Sequence, residues 1–305
     1  MQRFAIPFVL VGLAACDGCK ESTPGAQDGS ASTAPTVIPD ATPINATPVP
    51  TASVAAMLNP QNLPAYNGPT GSIEGMITVV GDPPLPKPQD FNRHKCPDAE
   101  KTYGVDFREG PPITPGGPRP LADAIVGATG YSGFYVPAKE EATELTIEGC
   151  AYTQRTVAMT YGQRLEVKNL TRDFWTPVIE PAPNLVLMMA APGGDPVKIY
   201  PKKPGRYVLG DRDRKYVYAD LYAFLYPTHA VSKLDGTYRI DGVPIGKLKV
   251  SARHPRIDDE VSVDLEVKPN VVHKVDLKLT HKIPDAGAKP KDAGPDADPD
   301  YPRLR

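Results

Sequence analysis

Proline is spread along almost the whole chain, and this feature limits its fold more than any other. The 305 residues include 37 prolines and 26 glycines. Because proline lacks the N–H that a helix interior needs and its ring clashes with the preceding turn, a helix-rich protein is excluded. Between the prolines lie short runs rich in β-branched and aromatic residues, which favour strands. The sequence therefore predicts an all-β fold.

The predicted strands fall between residues 71 and 279. The clearest runs are SIEGMITVV, RLEVKN, VYADLYAF, GTYRI, GKLKVSA and EVSVDLEV, separated by Gly, Pro, Asp or Asn. Many short strands at this spacing predict antiparallel Greek-key sandwiches. In residues 216–225 aliphatic side chains alternate with aromatic and polar ones. We expect the aliphatic face, which includes Val217, Ala219 and Leu221, to be the face that packs into the core.

The N-terminus, MQRFAIPFVLVGLAAC, has the layout of an export signal. One arginine precedes an apolar run that is too short to span a membrane as a mature helix, and small residues stand before Cys16. The residues Leu13-Ala14-Ala15-Cys16 resemble the lipobox of bacterial lipoproteins. This resemblance implies a signal peptide of residues 1–15 and acylation of Cys16, with palmitate among the acyl groups. An ordinary signal peptide and a buried apolar segment are the alternatives.

The lipoprotein resemblance also predicts where the protein lives. It implies a lipid anchor in a bacterial membrane, in the periplasm or at the cell surface, with the outer membrane favoured. The net charge of -2 provides no overall basic footprint, so we expect no nucleic-acid partner. The expected partners are the membrane and an envelope protein or polysaccharide.

The four cysteines have different predicted fates. Cys16 carries the lipid in the lipoprotein interpretation. Cys96 and Cys150 are the two cysteines of the predicted folded segment, so an oxidising compartment predicts a disulfide between them. Cys19 is left over: it is free, pairs with a second molecule, or is incidental to a flexible leader.

Both ends of the chain have the composition of segments that cannot build a core. Residues 16–70 are rich in Ala, Ser, Thr, Pro and Gly, as in STAPTVIPDATPINATPVPTAS, and predict a disordered, semi-extended tether. Residues 281–305 are rich in Asp and Pro and predict a disordered tail. We therefore expect the folded part to stand away from the membrane surface.

Two stretches of the predicted folded part resemble known families. GSIEGMI at the start and DGTYRIDGVPIGKLKV at 235–250 resemble the first strand and a hairpin of carboxypeptidase regulatory-like domains, which are prealbumin-type sandwiches. The material between them, including GQRLEVKN and YVLGDRDRKY, resembles plastocyanin-like, or cupredoxin-like, segments. These resemblances imply a cupredoxin-like part at 71–228 and a carboxypeptidase regulatory-like part at 229–280, to which the strand at 71–80 can also belong. One composite domain and two separate domains both remain open.

The cupredoxin resemblance implies positions for copper ligands, but the residues at those positions do not suit copper. Type 1 copper takes two imidazoles, one thiolate and often a weak axial Met. In the family, one His follows the strand that GQRLEVKN resembles, but here the following segment is LTRDFWTPVIE. The loop that would supply the Cys and the second His is GDRDRKYVY, in which Asp211 and Arg214 align with them. We therefore expect no copper site and no cofactor.

A basic set near this loop is a further candidate for binding. It suggests an anion or glycan patch, and its members are Lys202, Lys203, Arg206, Arg212, Arg214 and Lys215. The alternative is that Asp211 and Asp213 pair locally with the neighbouring cations at a solvated loop.

No catalytic constellation is evident, because the sequence has no nucleophile elbow, zinc motif or phosphate-binding glycine loop. The leading interpretation is a lipid-anchored, non-enzymatic binding or scaffolding module of the bacterial envelope. One alternative is a copper-binding or electron-transfer protein that uses Met188, Met189 and His229 or His254, although paired Met in an apolar run more often serves packing. A weaker alternative is an accessory module of an envelope hydrolase.

Overall fold

The computed structural model describes residues 45–84, 107–182 and 186–282. In order, the elements are α1 (Thr51–Leu58), β1 (Thr70–Gly81), β2 (Arg119–Pro120), β3 (Ile125–Thr129), β4 (Ala142–Glu148), β5 (Ala151–Tyr152), β6 (Thr156–Thr160), β7 (Arg164–Asn169), β8 (Pro177–Glu180), β9 (Val197–Ile199), β10 (Gly205–Asp211), β11 (Tyr218–Phe224), β12 (His229–Val231), β13 (Thr237–Pro244), β14 (Gly246–His254), β15 (Ile257–Val267), β16 (Val272–Lys274) and β17 (Leu277–His281). The all-β prediction is confirmed. Across these three ranges, no helix has the length and apolar character needed to cross a membrane.

The earliest and latest strands together form what we call the flanking sandwich. In its first sheet, β1 pairs with β13 and β2 in antiparallel fashion and with β16 and β17 in parallel fashion. Its second sheet has the order β12–β3–β14–β15. Alternating side chains, such as Ile73 and Ile77 of β1 and Val250 of β14, are fully buried between the sheets. This burial of apolar area is the main stabilising term of the sandwich.

The strands between β3 and β12 form the inserted sandwich. Its two sheets have the orders β5–β4–β7–β9 and β6–β11–β10–β8. The pairs β4/β7 and β6/β11 are parallel and the other pairs are antiparallel, so the sheets are mixed. Leu145, Val167, Leu209 and Leu221 meet in its core together with Trp175, which lies in the loop before β8.

Strand pairing divides the chain differently from a boundary at residue 228. β3 lies early in the chain, yet its residues Ile125–Thr129 pair with Arg253–Lys249 of β14. β2 pairs with β1. The flanking sandwich therefore includes residues on both sides of the inserted sandwich, because strands of high sequence separation complete its two sheets.

β11 is buried on both faces, and this joins the two sandwiches. Its aliphatic face, with Ala219 and Leu221, packs into the inserted core, as the alternation predicted. Its other face presents Tyr222 and Phe224, which form a small apolar cluster with Ile125 of the flanking sandwich. The aromatic face of β11 is thus an internal interface rather than a solvated surface.

Part of the predicted disordered tether is ordered. Asn45 is buried, its Oδ1 accepts a hydrogen bond from Val186 N–H at 2.9 Å, and its carbonyl accepts one from Tyr200 N–H at 2.8 Å. Residues 45–66, here called the strap, continue through α1 to Tyr66, whose N–H donates to the Tyr135 carbonyl at 2.9 Å. Composition alone missed this segment because its contacts are tertiary. The earlier part of the predicted tether and the tail from 283 onward lie outside the described residues.

Candidate functional site

The loop after β10 is organised by a buried carboxylate. Asp211 ends β10, and its side chain is fully enclosed. Its Oδ1 accepts hydrogen bonds from the N–H groups of Asp213 and Arg214 at 3.0 and 2.9 Å, which is an Asx-turn. Its Oδ2 accepts one from Thr176 N–H at 2.7 Å, which links the loop to the chain that enters β8. The charges between β10 and β11 therefore include one that determines the shape of the turn.

Arg214 closes this turn against the only tryptophan of the sequence. Its guanidinium carbon lies 4.0 Å from the centre of the Trp175 ring, which is a cation–π contact. Arg214 Nη1 donates to the Phe174 carbonyl at 3.1 Å and lies 3.6 Å from Asp211 Oδ1. At the edge of the ring, the indole Nε1 donates to the Thr171 hydroxyl at 2.8 Å. A network of hydrogen bonds and ring stacking thus holds together the β7–β8 and β10–β11 loops.

These residues do not fit type 1 copper. A carboxylate and a guanidinium occupy the positions that the cupredoxin resemblance assigns to the thiolate and the second imidazole, and the guanidinium has no lone pair to donate. Trp175, Arg214 and Asp211 also use their polar atoms within the loop network. Across the described residues, no group of three or more His, Cys, Asp or Glu side chains is arranged to hold a metal ion.

The residues of the alternative copper hypothesis lie in separate environments. Met188 packs against the inserted core, whereas Met189 is 68% exposed. His229 is half-buried where the sandwiches meet, with Nε2 3.4 Å from the Thr160 hydroxyl and its ring centre 5.2 Å from that of Phe224. His254 belongs to β14 of the flanking sandwich, and its Nδ1 accepts a hydrogen bond from Arg256 N–H at 3.1 Å.

The six basic residues of the predicted patch fall into two groups. Lys202, Lys203 and Arg206 lie at the start of β10, and Arg212, Arg214 and Lys215 follow its end. Five strand residues, 207–211, separate Arg206 from Arg212, which corresponds to about 20 Å. The structure therefore does not bring all six together.

Several of these cations have partners within the fold. Arg206 forms an ion pair with Asp220 at 2.7 Å, and Lys202 Nζ donates to the Thr47 carbonyl of the strap. Burial lowers the pKa of Lys202. Lys203, Arg212 and Lys215 are the exposed members of the set. Partners within the fold thus account for part of the charge, and of the two aspartates in the plainer interpretation, Asp211 lies next to Arg214.

Exposed apolar side chains lie close in sequence to Trp175 and to its bridge partner Ala190. Trp175 and Ala190 form an antiparallel β-bridge, and both side chains are buried. Because side chains alternate along an extended backbone, Phe174 and Met189, the residues before them, point away from the core. Phe174 is 60% exposed and Met189 is 68% exposed. We define the end surface as these two residues together with Leu170 and Leu187, which are also exposed. The sequence signal for this surface is the Phe-Trp pair of LTRDFWTP, in which one ring is buried and the other is exposed.

The cysteine predictions fall mostly outside the described residues. Cys16, Cys19 and Cys96 all lie there, so lipidation at Cys16 and the Cys96–Cys150 pairing stay predictions. Cys150 itself follows β4, has a backbone φ of 66° and is disulfide-bonded.

No family model and no curated protein matches the chain. Among solved structures, amicyanin from Paracoccus versutus has 15% identity and a TM-score of 0.25, over 29% of this chain and 84% of that chain. A reduced amicyanin mutant has 9% identity and a TM-score of 0.24, over 32% and 98%. A Cu-containing nitrite reductase from Thermus scotoductus has 13% identity and a TM-score of 0.24, over 32% and 25%. The chain is weakly similar to cupredoxins over part of its length.

Proposed function

We propose that this protein is a non-enzymatic binding module of a bacterial envelope. In this proposal an acylated Cys16 holds it at the membrane, and the end surface docks another envelope protein. The supporting observation is the contrast between Asp211 and Arg214, which are engaged inside the loop network, and the apolar side chains beside them, which face solvent. The positions that hold copper ligands in the resembling family hold, in this chain, residues that fix the conformation of the loop.

The end surface has the character of a docking site. Large apolar side chains exposed together on one side of a bridge are uncommon on surfaces without a partner. The neighbouring exposed residues Arg172, Asp173, Arg212 and Lys215 carry both signs of charge, as in the polar rim of a protein interface. The Trp175–Arg214 stack beneath them limits loop motion, so the loops would lose little conformational entropy when a partner binds.

A photoreactive amino acid at Phe174 tests this proposal in cells that produce the full chain. We expect a cross-link to a defined envelope protein, found in the membrane fraction. Exchanging Phe174→Asp and Met189→Asp, with the cross-linker moved to Leu170, should abolish that product, because two charges would have to be desolvated in the apolar centre of the contact.

Leu234→Asp is the matched control, since Leu234 is 65% exposed but belongs to the flanking sandwich. It should leave the cross-link intact. Cys16→Ser should move the protein to the soluble fraction. Equal cross-linking by the double variant and the wild type would exclude the end surface as the docking site. A blue, stoichiometric complex after copper addition would instead favour the electron-transfer alternative.

A further inference from the structure

A cleft of about 590 Å³ lies between the strap and the inserted sandwich, beside the contact of Val54 with Gly162. On one wall, Val54 and Leu58 of α1 face it at helical i, i+4 spacing. The other lining residues include Tyr200 and Pro137, which have accessible surface, and Tyr161, which is buried. No residue of α1 is buried, so the helix covers the cleft without filling it. A largely apolar concavity of this size with a few polar groups is the usual form of a ligand site.

The strap places a proline segment along the same cleft. Pro48 and Val49 line it, and Pro50, the residue before α1, has φ −54° and ψ 133°, close to the polyproline II conformation. The segment is held at Thr47, whose hydroxyl accepts a hydrogen bond from Lys202 Nζ at 3.3 Å. A surface of tyrosine and proline rings next to an extended proline segment is suited to bind a peptide in the polyproline II conformation.

The charged groups at the cleft determine the polarity of its ligand. Arg164, the cation among the lining residues, is already engaged, because Nε donates to Glu166 Oε1 at 2.6 Å and Nη1 to Glu141 Oε2 at 3.3 Å. Lys202, whose Nζ lies 5.9 Å from the centre of the Tyr200 ring, is engaged by Thr47. Gln163 is engaged too, since its Nε2 donates to the Glu140 carbonyl at 2.8 Å. The Glu140 carboxylate and the outer side of Glu141 remain exposed at the rim. This rim therefore attracts a cation and repels an anion.

We propose that this cleft binds an extended, proline-rich peptide that carries a lysine or arginine. The proline rings pack against Tyr200 and Pro137, and the basic side chain lies against Glu140 and Glu141. The site is distinct from the end surface, so either can be present without the other.

The probe is a synthetic peptide with the sequence PPLPKPQ, which occurs in this chain at residues 83–89. Calorimetric titration into the purified full chain should show binding that weakens about tenfold for Tyr200→Ala and for Glu140→Lys. Tyr200→Phe should retain the affinity, because it keeps the ring. The peptide with glutamate in place of its lysine should bind poorly to the wild type and regain binding to Glu140→Lys.

Glu148→Lys is the control with the same charge change, since Glu148 lies at the far end of β4 and outside the cleft. It should bind the probe as the wild type does. Equal weakening by Glu148→Lys would show that the effect comes from the net charge of the protein rather than from the cleft. Unchanged binding of a peptide with both later prolines replaced by glycine would exclude polyproline II recognition. Tighter binding of a neutral oligosaccharide than of the peptide would overturn the ligand class.

Discussion

At the scale of single residues, Asp211 is the side chain on which the candidate site depends most. It accepts three backbone hydrogen bonds from two segments that are distant in sequence, and it does so while fully enclosed. A buried charge is stable only when it is fully hydrogen-bonded, and here the turn itself supplies the donors. The loop therefore keeps its shape without a metal ion.

Replacing this carboxylate should be costly. Asp211→Ala leaves the N–H of buried Thr176 without its acceptor and removes the anion next to Arg214, so we expect a loss of about 3 kcal/mol in the free energy of unfolding. Asp213→Ala, at an exposed neighbour, should change it by less than about 0.5 kcal/mol. Denaturant titration followed by the fluorescence of Trp175 measures both. Similar losses for the two variants would contradict the role assigned to Asp211.

At the scale of elements, the strap depends on one close approach. Gly162, in the turn before β7, has a φ of +95°, and a Cβ atom placed there would lie 2.4 Å from Val54 Cγ1 of α1. Side chains essentially never approach so closely, and the left-handed backbone favours glycine as well. The packing of α1 on the inserted sandwich therefore requires a residue without a side chain at this position.

Gly162→Ala should release α1 while leaving the sandwiches folded. We expect at least a tenfold faster hydrogen exchange of the α1 amides, because the added methyl group displaces Val54. Gly133→Ala is the control for backbone strain. Gly133 also has a positive φ, of +83°, but no atom lies within 4 Å of the added Cβ, so this variant carries the strain without the contact. Equal exchange in the two variants would show that the contact with Val54 does not hold the strap.

Whether a feature could be predicted from the sequence depended on how far apart in the chain its interacting residues lie. Alternation in β11 predicted that Ala219 and Leu221 face a core, because the period of a strand depends on local sequence alone. The strap was not predicted, because the amide of Asn45 finds its partners at Val186 and Tyr200 far along the chain. The end surface was missed for a similar reason, because only the bridge of Trp175 to its distant partner turns Phe174 outward.

At the scale of the whole molecule, two neutral histidines make stability depend on pH. Burial lowers the pKa of His229, at the junction of the sandwiches, and of His254, in the flanking sandwich, from 6.5 to about 4. The unfolded chain takes up these protons at higher pH than the folded chain does. Stability is therefore fully present above pH 6.5 and is lost as pH falls towards 4.

At about 1.4 kcal/mol per pH unit, each histidine should lower the free energy of unfolding by roughly 3 kcal/mol at pH 4. We expect His229→Gln to reduce the slope of stability against pH between 6.5 and 4, and a further His254→Gln to reduce it again. Denaturant titrations at pH 7.5, 5.5 and 4.5 measure the slopes. An unchanged slope in the double variant would assign the pH dependence to carboxylates instead.

The pairing of β3 with β12 has a consequence for how the chain is put together. His229 lies opposite Gly127, so the chain leaves the flanking sandwich and returns to it at adjacent backbone positions. In topological terms, β3 and β12 are a hairpin whose turn is a complete second sandwich. Because the entropy of closing a flexible loop grows only with the logarithm of its length, about 0.6 kcal/mol per doubling, even a turn many times longer costs only a few kcal/mol more. The flanking sandwich can therefore carry an insert of almost any size at this point, provided that the insert returns its two ends side by side.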